Sequence, residues 1–211
     1  KKTLDANNMQ DGVHIRLIIS RGLKKTPYQH PNANQGGCSI VIIPEYKVVN
    51  IKENNAGLHL VTVATKRGTA ETQNPQLNTL SKHNCIAACI EAKNANADEG
   101  IMLDVNNFVS TCNSTNFFII KNNEVWTSTG EFCLPGITRG AVITLCKQNN
   151  IPIFEKNFRI KDVHSADEAF VTGTFSGIIP VIKIDLIKIS NGKIGRLTRF
   201  IQKIYEKKIN D

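Results

Sequence analysis

Aromatic residues are scarce in this chain, 6% of 211 residues with a single tryptophan, and nowhere are they interleaved with a run of arginines. A groove reader or a stacking platform for nucleic acid needs such a stripe. The net charge of +8 is instead spread over lysines, which cluster only at Lys24-Lys25 and Lys207-Lys208. No nucleic-acid partner is expected from that pattern. Long apolar runs are missing as well: none approaches the roughly 18 residues of a membrane span. The opening residues KKTLDANNM lack the apolar core of a signal peptide, so a cytoplasmic protein without a membrane partner is expected. The six cysteines, at 38, 85, 89, 112, 133 and 146, contain no CxxC pair, which removes the zinc ribbon and the thioredoxin-type redox motif. Cys85 and Cys89 stand one helical turn apart with His83 nearby, but small buried thiols in a reduced compartment are favoured over a metal corner. No metal is expected.

What is present suits one substantial core. Hydrophobic content is 41% and charged content 21%, ordinary for a globular protein, and at roughly 150 residues per domain the length suggests one domain. The β-branched run GVHIRLIIS (12–20), the apolar run CSIVIIP (38–44) and the alternating AGLHLVTVAT (56–65) read as three long strands of one sheet. TLSKHNCIAACIEAKNA then changes to a helical period, with Thr79 or Ser81 placed to cap its start. Strands return at EGIMLD, FVSTC and NFFIIK, punctuated by Asn-rich turns that favour hairpins. GITRGAVITLCKQNN and the terminal GRLTRFIQKIYEKK read as amphipathic helices, with the strand IPIFEKN and the paired runs of EAFVTGTFSGIIPVIKID between them. The expected fold class is α+β: a mixed, mostly antiparallel sheet with a few packed helices.

Two stretches look built to hold an anion. In LPGITRG, a helix starting at Ile137 and Thr138 leaves main-chain N–H groups unpaired and pointing outward, which suits a phosphate. TGT, Thr172 to Thr174, ends an apolar strand and offers hydroxyls and flexible backbone for a second contact. Either alone is a common element terminator.

The order of the segments carries more information. From DGVHIRLIISRG through EAKNANADEGIMLD, FVSTCNSTNFFIIKNNEVWTS, CLPGITRG and SADEAFVTGTFSGIIPV, nearly the whole chain resembles the large domain of the class IV pyridoxal-phosphate aminotransferases. That family includes branched-chain aminotransferases, D-alanine aminotransferase and aminodeoxychorismate lyase. The resemblance implies the D-amino acid aminotransferase-like fold, with residues 1–10 a linker or the end of a missing small domain and residues 11–211 the cofactor-binding large domain. It implies pyridoxal 5'-phosphate as cofactor, an amino acid and a 2-oxo acid as substrates, and a homodimer. Ile137, Thr138 and Thr174 match the residues that hold the cofactor phosphate, Leu134 the leucine under the pyridine ring, and Arg21 an arginine near the substrate.

The reactive half departs from the family pattern. The Schiff-base lysine stands 20 residues before the Asp of the ADE motif; counting back from Asp98 reaches Asn78, which forms no imine. Lys82 lies four residues later, roughly 6 Å along a helix at about 1.5 Å rise per residue, and is the local candidate for the internal aldimine and for moving the substrate's α-proton. His83, the next residue, points about 100° away on a helix and reads as a surface or packing histidine. The family's glutamate at the pyridine nitrogen falls at Thr111, which donates a hydrogen bond to an unprotonated nitrogen but supplies no charge to hold a proton there. Three functions therefore stay open: an aminotransferase working through Lys82, a relative that binds pyridoxal phosphate or another phosphorylated ligand without transamination, and a non-catalytic interaction module.

Overall fold

A computed structural model describes residues 1–47 and 56–210. Their packing divides the chain into two compact units, Lys1–Val49 and Asn50–Asp211. In the first, helix α1 (Lys2–Ala6) precedes strands β1 (Val13–Ser20) and β2 (Ser39–Tyr46), paired antiparallel along their full length from Val13 opposite Tyr46 to Ser20 opposite Ser39. Because side chains alternate along a strand, Ile15, Leu17, Ile19, Ile40 and Ile42 share one face of this ribbon, and all are exposed.

The second unit comprises β3 (Leu58–Thr62), α2 (Ala70–Gln73), α3 (His83–Asn94), β4 (Glu99–Leu103), β5 (Val109–Cys112), β6 (Asn116–Lys121) and β7 (Glu124–Thr127), then α4 (Ile137–Gln148), β8 (Ile153–Glu155), α5 (Ile160–His164), β9 (Glu168–Gly173), β10 (Gly177–Ile184), β11 (Ile187–Lys188) and α6 (Arg196–Asn210). Nine strands among the described residues form one sheet in the order β5-β4-β3-β10-β9-β6-β7-β8, with β11 on β10. Pairing is parallel at β3–β4, β3–β10 and β7–β8 and antiparallel elsewhere. This is the expected mixed, mostly antiparallel α+β architecture. One expectation fails: the three early strands do not share a sheet. β1 and β2 satisfy each other residue for residue, while β3 lies between β4 and β10 in the larger sheet.

Continuous apolar runs make the centre of that sheet. Phe117, Ile119, Ala169 and Val171 point into one core with Leu60, Val181 and Phe158. Their alternate neighbours Phe118, Ile120 and Phe170 point into a second core with Val142 and Cys146 of α4 and Ile201 of α6. Strands buried on both faces lose the polar alternation of a half-exposed strand, which is why NFFII and EAFV read as unbroken hydrophobic stretches. Phe118 stacks on Phe170 with ring centroids 4.8 Å apart, an arrangement that adds about 0.5–1.5 kcal/mol beyond the area buried. Between β6 and β7, Asn122 and Asn123 both take positive φ, 52° and 60°, the hairpin geometry that favours asparagine.

Two carboxylates fix the helices that matter for the site. Glu91 on α3 accepts from Ala64 N at 2.7 Å, Thr65 N at 3.1 Å and the Thr65 hydroxyl. Those bonds, the Thr65 hydroxyl foremost and against a counteracting burial effect, hold its carboxyl below the usual glutamate range. Glu168 of the ADEAF segment accepts from Leu197 N and Thr198 N at 3.0 and 2.7 Å, satisfying free N–H groups at the start of α6 and complementing its positive end. α3 approaches β4 at Gly100, where any side chain would collide with Val63 and crowd Ala88 O.

A further knot ties β3, α5 and the end of β10. Asp185 accepts from Thr62 N at 2.7 Å, the Thr62 hydroxyl at 3.0 Å and His164 Nε2 at 2.7 Å. Burial pushes its carboxyl upward, but the bonds from Thr62 and His164 outweigh burial and hold it below its ordinary value of 3.8. A depressed folded value means this stabilisation is complete above the ordinary aspartate range and disappears as pH falls through the lowered value. Discounted for partial exposure, Asp185→Asn is expected to cost about 1–2 kcal/mol, or about 3–6 °C in Tm, at pH 7. Thermal unfolding followed by circular dichroism should show the gap to the parent protein closing below the ordinary aspartate range.

Candidate active site

The second unit encloses a cavity of about 440 Å³, within the range of small-ligand sites. Lys82, Thr111 and Leu134 all line it, and so does Asn78. The loop folds back on itself to bring positions 78 and 82 to the same space. Gln73 Nε2 donates to Thr79 Oγ1 at 3.2 Å and to Ser81 O at 2.6 Å, and Lys82 N donates to Leu80 O at 3.0 Å. Lys82 is exposed and is the N-cap of α3, with φ −117° and ψ 36°. Neither Thr79 nor Ser81 caps the helix as expected, and Lys82 itself makes no side-chain cap bond. His83, exposed as expected of a surface histidine, lines the same cavity.

Arg67, from the TKRG segment after β3, organises this loop. Its guanidinium donates to Phe132 O at 3.0 Å, Pro75 O at 3.2 Å and Cys85 Sγ at 2.8 Å. One side chain thereby joins the loop before α3, the first turn of α3 and the segment that leads into LPGITR. Gln76 Nε2 adds a bond to Gly130 O at 3.2 Å. Residue-by-residue reading passed over Arg67, although a cation directly after a strand end was its visible signal.

Ile137, Thr138 and Thr174 stand outside the cavity lining but flank one of its walls. A side chain at Gly136, the N-cap of α4, would collide with Asn116 Oδ1, and one at Gly173 would rest on the Thr115 methyl at 3.6 Å. The two turns singled out as anion holders thus abut consecutive residues of the same wall, both of which line the cavity. Asn116 Nδ2 donates to Leu134 O at 3.0 Å, welding the LPG turn to the start of β6. The Ile137 side chain is 80% exposed, so nothing of its own covers its N–H, and the first three N–H groups of α4 have no acceptor within the helix. Beside them Thr172 Oγ1 is buried with no partner, and Thr138 Oγ1 reaches Tyr205 at 3.5 Å. Free helix N–H groups, a glycine turn packed tightly on Asn116 and an orphaned hydroxyl together fit a phosphate.

Other expected residues sit differently. Thr111 is buried, and its hydroxyl donates to Thr115 O at 2.7 Å. Arg21 belongs to the first unit, where its guanidinium donates to Gln29 O at 3.1 Å and Asn34 Oδ1 at 3.2 Å. Among the described residues, no group of three His, Cys, Asp or Glu is arranged to hold a metal ion.

The family model for amino-transferase class IV matches residues 1–184. The chain belongs to that family. Among class IV relatives, the branched-chain-amino-acid aminotransferase-like protein 2 of Arabidopsis thaliana is 39% identical over 206 residues, covering 98% of this chain and 37% of the plant protein. A putative branched-chain-amino-acid aminotransferase of Methanocaldococcus jannaschii is 31% identical over 97% of the chain and 70% of its own length. A crystal structure of the branched-chain aminotransferase from Thermoproteus uzoniensis, solved with norvaline, superposes with a TM-score of 0.86 at 26% identity, over 98% of this chain and 67% of that one. The chain therefore spans well under half of the plant class IV relative and about two thirds of the archaeal ones.

The geometry at Gly136 yields a direct test. Gly136→Ala leaves an allowed backbone, since φ is −63°, but its methyl group must displace Asn116 and release Leu134 O. Binding of a phosphate monoester, followed by calorimetry, is expected to weaken about tenfold, the equivalent of about 1.4 kcal/mol, with an unchanged circular dichroism spectrum. Unaltered affinity would remove the turn from the anion site.

Proposed function

We propose that this chain is the cofactor-binding portion of a pyridoxal-phosphate-dependent aminotransferase that exchanges an amino group between an amino acid and a 2-oxo acid. One observation supports the reading above all others: the amine at position 82 shares a cavity with Thr111 and Leu134, and that cavity's Thr115-Asn116 wall lies against both anion-holding turns. In this assignment the N–H groups of Ile137 and Thr138 and the Thr174 hydroxyl hold the phosphate. Leu134 supports the ring from below, and Arg67 fixes the loop that carries the amine. Bound there, pyridoxal phosphate supplies an aldehyde and an electron-withdrawing ring. Lys82 is the residue whose amine would face that aldehyde and would take up and return the substrate's α-proton. Arg21 is proposed, from the resemblance alone, as a substrate-binding residue. A cytoplasmic homodimer, with the large domain running from residue 11, completes the proposal.

A second reading draws on Thr111. Its single proton is committed to Thr115 O and the residue carries no charge, while Asn78 occupies the usual place of the lysine. Both favour a relative that binds the phosphorylated cofactor without transaminating.

Incubation with pyridoxal phosphate, a visible spectrum, borohydride reduction and peptide mass spectrometry separate the two. A pyridoxyl group on Lys82, abolished in Lys82→Ala with phosphate binding retained, is the expected outcome. Adduct formation at a different lysine would overturn the role of Lys82, and binding without any reducible adduct would favour the non-transaminating relative.

A further inference from the structure

None of the residues lining the cavity is an aspartate or a glutamate, whereas Lys66, Arg67 and Lys82 all reach it. A carboxylate lies directly behind the wall. Glu99, the first residue of β4, accepts the Ser114 hydroxyl at Oε1 and the Thr115 hydroxyl at Oε2, the latter at 2.6 Å, and Ser114 and Thr115 both line the cavity. The neighbouring Thr111 hydroxyl donates to Thr115 O at 2.7 Å. A hydroxyl carries one proton and two lone pairs. All three hydroxyls of this wall direct their proton inward, so only lone pairs remain for anything in the cavity. Backed by the part-buried Glu99 carboxylate, such a wall is a poor partner for a second acceptor and favours a donor that carries positive charge.

The inference rests on the cofactor reading above together with the resemblance, which implies that the ring nitrogen faces Thr111. We propose that Glu99, acting through the hydroxyls of Ser114 and Thr115, makes the wall an acceptor for the protonated ring nitrogen, supplying from behind the charge that Thr111 lacks. Glu99 touches no ligand itself and is a positioning residue.

The surroundings agree. Burial foremost, with the adjacent Asp98 adding to it, pushes the Glu99 carboxyl above the usual glutamate range, against the opposing bonds from Ser114, Thr115 and Cys112. The buried Cys112 thiol is pushed well up, by burial first and then by Glu99. On the β3 side, the His59 ring is committed to Asn96 O and Asp185 O. Protonation of Glu99 as pH falls through its raised value would cancel the charge behind the wall.

Pyridoxamine 5'-phosphate provides the test, because it carries the ring nitrogen and the phosphate but no aldehyde, so Lys82 plays no part. The parent protein, Glu99→Gln and Thr115→Val are titrated with it across pH, and the protonation of the bound ring is read from its absorbance. Glu99→Gln is expected to lower the pH at which the bound ring titrates by about one unit, with about a tenfold loss of affinity at neutral pH, while affinity for inorganic phosphate stays the same. Thr115→Val, which keeps the carboxylate and the shape but removes one hydroxyl, should shift in the same direction. An unchanged ring titration in both variants, or an equal loss of inorganic phosphate, overturns the proposal and leaves Glu99 as a brace for the turn. Should the parent protein bind neither probe, the cofactor reading fails and this inference with it.

Discussion

The turn at Gly136 lies so close to Asn116 that no side chain fits between them, and the rest of the site depends on that approach. It lets the Asn116 amide reach Leu134 O, which sets the direction of the LPG segment. That direction in turn presents the first N–H groups of α4 at the edge of the cavity. On the other side of the same wall Gly173 rests against Thr115. Two turns that are 37 residues apart in the chain meet at one wall because β6 and β9 are neighbours in register, Asn116 opposite Thr172. The register is held by strands buried on both faces, where a slip by one residue would exchange Phe117 and Phe118 between two different cores.

The amine-bearing side of the cavity is built by other means. It uses few apolar contacts and relies on directed bonds: Arg67 to three acceptors, Gln73 to the 79–81 turn, Gln76 to Gly130 and Glu91 to the loop after β3. α3 buries only Ala88 and Ala92 of its side chains, small residues that let it settle on β4 over Gly100. A lysine at the N-cap of such a helix is positioned by the loop before it more than by the helix after it. This is the physical basis on which a lysine displaced by four residues reaches the same cavity as Asn78.

Charge is divided between the two sides of the wall. Cations line the cavity, while the part-buried Glu99 stands behind Ser114 and Thr115. A carboxylate placed directly in the cavity would repel a phosphate dianion, whereas one placed behind hydroxyls leaves the anion cradle intact and still acts through a low-dielectric path.

The amino-acid sequence by itself determined the element types and the positions of the two glycine turns, because hydrophobic period, helix-start glycines and Asn-rich hairpins are local properties of the chain. It also exposed the two departures at Asn78 and Thr111, which require only counting along a motif. The tertiary structure alone decided that β1 and β2 form a sheet of their own, that Lys82 takes the N-cap position of α3 and lines one cavity with His83, and that Arg67 joins three segments around that cavity. Those outcomes depend on which strands become neighbours and on where a side chain's few donors and acceptors are spent. Both are settled by contacts between segments, so no periodicity within one segment records them.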